Sequence, residues 1–161
     1  MSVSPTLVKR FNQAAAFARE GEQVSAIAAY TRLLGEPLPE GECYEATPAF
    51  VATIEMRRAW CFMDLERHEE ARAVLEGSRL CELLGSLAHD DRYEYFFSYG
   101  NVLGHLGSYD AMSDAMDEAF TAALELDDEE RFLRAWNWRE TWRSVFEATT
   151  QSLCPSLAFT A

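Results

Sequence analysis

Three histidines, His68, His89 and His105, supply the chain's only imidazoles for acid–base or ligand chemistry. His89 opens the run "HDD" at 89 to 91. Together with Asp90, and with His68 upstream, it would offer a divalent metal the nitrogen and oxygen ligands needed to activate water for hydrolysis. The competing role is local: Asp90 or Asp91 caps the helix that follows, and His68 occupies the turn before "EEAR". The local role needs no further ligand and is the one expected, so no metal and no cofactor is assigned. Glu69 and Glu70 are sequence neighbours; on a helix they diverge, and solvated charge describes them better than a carboxylate pair. Phosphate-cradling glycine loops, a G-x-S-x-G elbow and a Cys/His nucleophile spacing are all missing from the sequence. Enzymatic chemistry is therefore not expected.

The four cysteines, Cys43, Cys61, Cys81 and Cys154, form no C-x-x-C pair and lie in or beside apolar runs. They read as reduced, buried thiols of a cytoplasmic protein. The start, "MSVSPTLVKRFNQ", lacks a charged leader followed by an apolar core, and no stretch nears about 18 consecutive apolar residues. Neither a secretory signal nor a membrane span is expected. Twenty-seven acidic against fourteen basic residues leave a formal charge of −13. That balance disfavours nucleic acid and anionic lipid, both of which need a basic patch, and favours basic or neutral partners. Apolar residues at 48% of the 161 are enough for one packed core.

The elements that must position these residues are helical. Ala, Leu, Glu, Arg and Met dominate, and alternating β-branched runs are absent. The spacing predicts seven helices. Leu7, Phe11, Ala14, Phe17 and Ala18 mark the first, ended by Gly21, and Val24 to Leu34 the second. A Pro- and Gly-rich loop covers 35 to 45. Thr47 and Pro48 then open a third helix that runs to about Leu65. A fourth follows from about Arg67 to Ala88, in which Gly77 costs about 1 kcal/mol against Ala and marks a slight bend or frayed end. Two more surround "LGHLGSYDA", and "DDEE" at 127 to 130 opens the last, favourably for its dipole. A tail with Pro155 closes the chain.

Laid over one another, the helix pairs share a frame. A small residue is followed three positions on by a large apolar one, then by a turn, then by a small or flexible residue twelve after the first. The members are Ala14, Phe17 and Ala26; Ala59, Phe62 and Ala71; Gly100, Leu103 and Met112. Small residues let two helices approach closely while the large one fills the adjoining hole. The stretches "AAAFAREGEQVSAIAAY", "AWCFMDLERHEEARAVL" and "GNVLGHLGSYDAMSDAM" resemble the tetratricopeptide repeat. Ala26, Ala71 and Met112 fall 45 and 41 residues apart, longer than that family's unit, and Arg10, Gln13, Glu55 and Arg58 stand where it favours Trp and Leu. The resemblance implies an all-α single domain over 1–161: a right-handed superhelix of three antiparallel hairpins, at about 7–35, 48–87 and 90–126, with a capping helix at 127–151 and a tail at 152–161.

The resemblance also implies a concave groove lined by the first helix of each pair, and so a non-enzymatic scaffold or adaptor that binds a peptide or protein segment. Carried over position by position, the groove takes Val8, Phe11, Ala15 and Arg19; Thr53, Met56, Trp60, Met63 and Asp64; and Glu94, Phe97, Asn101 and His105. Met56, Trp60 and Met63 serve either there or as core beneath lengthened helices. The family's clamp for terminal carboxylates needs polar groups where Phe11 and Ala15 stand, so that ligand is not expected. A narrower resemblance, carried by length, acidity and "YFFSYGNVLGHLGSYDAM", is to small three-repeat type III secretion chaperones, which hold an apolar client segment. Trp138 and Trp142 on the last helix act either as packed cap or as an interface, the latter implying a homodimer.

Overall fold

The computed structural model describes residues 4–35 and 48–153, and the described residues are helical throughout apart from the turns between helices. Eight α-helices follow in order: α1 (Pro5–Arg19), α2 (Gln23–Gly35), α3 (Pro48–Asp64), α4 (His68–Leu75), α5 (Ser78–Leu83), α6 (His89–His105), α7 (Tyr109–Glu125) and α8 (Glu129–Leu153), with a 3-10 turn at Leu84–Ser86. Thr47, expected to cap α3, lies outside the described residues, as do Cys43 and Cys154.

One backbone device connects the chain. Three-residue turns separate α1 from α2, α3 from α4, α6 from α7 and α7 from α8. In each, the middle residue is left-handed: Gly21 (φ 81°), Glu66 (φ 58°), Gly107 (φ 72°) and Asp127 (φ 54°). The next N–H then reaches back five residues to a helix carbonyl, Glu22 to Phe17 at 2.9 Å, Arg67 to Phe62 at 2.9 Å, Ser108 to Leu103 at 2.9 Å and Asp128 to Ala123 at 3.0 Å. This is the Schellman arrangement, which satisfies carbonyls that a helix end would otherwise leave bare. The expected small residues Ala14, Ala59 and Gly100 each lie seven positions before the left-handed residue, and Ala26, Ala71 and Met112 five after it. All six are buried.

The core forms three clusters that follow the helix pairs. Leu7, Ala14, Ala26 and Tyr30 meet Ile54 and Cys61 of α3. Ala52, Met56, Ala59, Ala71 and Leu75 join α3 to α4 and to Tyr95 and Val102 of α6. Tyr93, Phe97, Leu103, Met112 and Met116 join α6 to α7 and to Ala135 of α8. Phe96 and Tyr99 pack against both of the latter two clusters, and Trp60 of α3 packs against the third. Buried phenols bond to neighbouring helices: Tyr95 Oη donates to the Leu75 carbonyl at 3.1 Å and Tyr93 Oη to the Arg131 carbonyl at 2.9 Å.

Two sequence expectations are corrected. The single helix drawn from Arg67 to Ala88 is broken: Gly77 adopts an extended conformation (φ −60°, ψ 138°) and starts α5. A Cβ there would lie 3.1 Å from the Val74 carbonyl oxygen, so the short link suits glycine. Among the described residues the helices accordingly number eight, not seven. Neither Asp90 nor Asp91 caps α6; Ala88 is the N-cap, and both aspartates lie in the first turn, where they oppose the positive end of the helix dipole. For α8 the acidic start does act as a cap, since Asp128 Oδ1 accepts the Arg131 N–H at 3.0 Å.

Candidate partner-binding groove

Helical periodicity aligns the candidate surface. On α3, Thr53, Arg57, Trp60 and Asp64 recur at four, three and four residues and share one face, turned away from Ala52 and Ala59 in the core. On α1, Phe11, Ala15 and Ala18 recur at four and three residues, and Arg19, four beyond Ala15, lines the same side. A cleft of about 380 Å³ lies between these two stripes, floored by Tyr30 and Cys61. A second cleft of about 520 Å³ is walled by Thr53, Met56, Arg57 and Trp60 of α3, Asp91 and Glu94 of α6, and Arg134 of α8. Arg57 and Trp60 border both. Arg134 in turn borders a shallow third cleft along α8 with Leu133, Asn137 and Trp138. The result is a run of adjoining depressions crossing α1, α3, α6 and α8.

The floor is chemically quiet. Burial, then the nearby Asp64 charge, pushes the Cys61 thiol up to about 11, so it stays protonated. Burial likewise raises the Tyr30 phenol. Asp91 is raised by burial and by the charge of Asp90. Asp64 accepts a hydrogen bond from Gln23 Nε2 at 2.9 Å, and Glu94 lies 4.0 Å from Arg131.

Of the groove residues expected from the sequence, Phe11, Ala15, Arg19, Thr53, Met56, Trp60, Asp64 and Glu94 line these clefts. Phe11 is half-buried and rests against Tyr30 and Phe50, with ring centroids 5.8 and 5.4 Å apart. The others sit elsewhere. Met63 packs against the second core cluster. Phe97 is fully buried, and the Arg134 guanidinium lies 4.2 Å above its ring. Asn101 is 4% exposed, and its Oδ1 has no hydrogen-bond partner. His105 stacks on His68, centroids 4.4 Å apart and planes within 9°, with the Trp142 ring edge-on at 5.0 Å. Val8 is exposed at 39% and lines neither cleft.

Trp138 and Trp142, held open as an interface, are half-buried and pack against the third core cluster. Trp142 lies flat enough on Gly104 that a Cβ there would stand 2.7 Å from the indole. Exposed apolar side chains of α8 are instead Leu133, Trp136, Val145 and Phe146. The histidines weighed as metal ligands are apart in role: His68 stacks on His105, whereas His89 Nδ1 lies 2.5 Å from Glu125 Oε2. Among the described residues no three His, Cys, Asp or Glu side chains gather as a ligand set. Nor is any described helix long and apolar enough to cross a membrane.

Sequence reasoning missed Arg57 and Arg134. Each follows or adjoins residues of an ordinary charged run, and nothing in such a run tells a guanidinium committed to an ion pair from one left facing a cleft. No protein-family model matches the chain, and no curated protein is significantly similar to it.

Proposed function

We propose that the chain is a non-enzymatic interaction scaffold, a divergent tetratricopeptide-like right-handed superhelix whose concave face takes an extended or helical segment of a protein partner. The observation that carries this reading is the run of clefts bordered jointly by Arg57 and Trp60, which crosses successive helix pairs rather than closing around a small molecule. A half-buried tryptophan beside apolar walls supplies the contact area an interface anchor needs. The apolar part of the first cleft, Phe11, Ala15, Ala18 and Trp60, also suits the apolar client segment of a small secretion-type chaperone, which is a special case of the same mode.

The test blocks the clefts without touching the core. Ala15→Trp and Thr53→Arg place bulk on half-buried positions that line the two clefts. Affinity capture from the source cell extract is expected to lose, in the double variant, a partner retained by the wild type, while circular dichroism reports unchanged helicity. Equal capture of that partner by both proteins rejects the groove.

A further inference from the structure

Apart from the clefts, α1, α2, α3 and α5 meet around an apolar cavity of about 260 Å³, which shares no lining residue with the three clefts described above. Leu7, Leu33 and Ile54 in its wall are buried, and Leu34, Phe50 and Val51 are half-buried. Arg79 of α5 is the single charged residue that lines it. The Arg79 side chain is 53% exposed, so its guanidinium stands where the cavity meets solvent. Glu55 is its carboxylate neighbour, and that carboxylate is shared. Arg58 Nη2 lies 2.8 Å from Glu55 Oε2, whereas Arg79 Nη1 is 3.8 Å from Oε1, too far for a hydrogen bond. Arg79 has no other ion-pair or hydrogen-bond partner among the described residues. Two guanidiniums around one carboxylate leave a formal surplus of one positive charge beside an apolar cavity.

We infer that this cavity binds a small amphiphilic monocarboxylate, its alkyl body among Leu7, Leu33, Phe50 and Ile54 and its head on Arg79. The site is separate from the partner groove, and the inference does not rest on that reading. Size sets the body of the ligand: an apolar cavity of about 150 Å³ takes up the six carbons of benzene, so 260 Å³ scales to roughly ten non-hydrogen atoms. Octanoate is of that size. Charge sets the head, because the parallel N–H donors of a guanidinium match the two oxygens of a carboxylate and one negative charge balances the local surplus. No acidic side chain lines the cavity to oppose an anion there, and Glu55 is held at closer range by Arg58. A cationic head would instead face two guanidiniums.

Isothermal titration calorimetry on the full chain, with octanoate, hexanoate, octylammonium and octan-1-ol as probes, tests this. Octanoate is expected to bind, hexanoate roughly fifteenfold more weakly because each buried methylene carries about a fourfold factor, and octylammonium not measurably. Arg79→Gln should weaken octanoate about fivefold while leaving octan-1-ol within about twofold. Val51→Phe and Leu34→Phe each put bulk into the cavity from a half-buried position and should abolish octanoate binding, with circular dichroism reporting the fold of each. Ala15→Trp, in the first cleft, should leave octanoate binding unchanged. Absence of octanoate binding, equal binding of octylammonium, or wild-type affinity for octanoate in Arg79→Gln overturns the inference. So does octanoate binding that survives in a folded cavity-filling variant or is lost in Ala15→Trp, since either result puts the ligand elsewhere. Should both filling variants unfold, Arg79→Gln, altered at an exposed side chain, decides.

Discussion

At the smallest scale, two glycines of α6 show how one methylene group decides a contact. A Cβ on Gly100 would meet the far end of the Met116 side chain, its Cε at 2.8 Å, whereas a Cβ on Gly104 would meet the Trp142 indole at 2.7 Å. Methionine has three rotatable bonds and can withdraw; a ring wedged against a helix cannot. Alanine also gains about 1 kcal/mol over glycine in a helix interior. Gly100→Ala is therefore expected to be near neutral in stability. Gly104→Ala should lose roughly 1 to 2 kcal/mol, the overpacking cost exceeding the propensity gain. Urea denaturation of the two variants checks the order, and near-ultraviolet circular dichroism should change only for Gly104→Ala, because Trp142 must move.

Between helices, the repeated left-handed turn is the element that sets geometry, and it is made by glycine twice and by an acid twice. Glu66 and Asp127 carry a Cβ in a conformation that costs an L-residue about 1 to 2 kcal/mol. The turn persists because the carbonyls it caps, and the clusters on either side, outweigh that cost. Glu66→Gly should consequently stabilise the chain by roughly 0.5 to 1 kcal/mol after allowing for the entropy glycine adds to the unfolded state. A thermal midpoint raised by about 2 to 4 °C is the expected reading. The converse change, Gly21→Ala, should lower it by a similar amount. No change in either variant would mean that these turns do not carry the strain their φ angles imply.

Across the whole molecule, stability depends on a junction where α4, α6 and α8 meet at His68, His105 and Trp142. Burial, and then the facing His68, holds the His105 imidazole below its usual value of 6.5. A lowered folded value favours the neutral ring in the fold. Its contribution is complete above the unfolded value and is lost as the pH falls through the range below about 6.5. Glu55 runs the other way, its carboxyl raised mainly by burial, so acidification from neutrality relieves it. The comparison that isolates the histidine is wild type against His105→Gln. Between pH 7.5 and 5.5 the urea midpoint of the wild type should fall relative to that of the variant, and parallel profiles would remove the junction's role.

Helices, the frame of small residues and the glycine turns were legible from sequence alone because they follow from local rules: periodicity, propensity, and the lack of a Cβ where a chain turns left-handed. The stripes of α1 and α3 that line the clefts came from the same periodicity, through a family resemblance. Glu66 in a left-handed turn was not legible, since nothing in its side chain favours that state, whereas Asp127 is of a type that visits it more readily. Phe97 belongs to the core and not the groove because Arg134 and Trp138 of α8 lie against it, a contact between segments distant along the chain. Charge shows the division most clearly. Its total of −13 is a property of the list of residues, but which arginines find a carboxylate and which face an open cleft depends on distances of a few ångströms that only the folded chain sets.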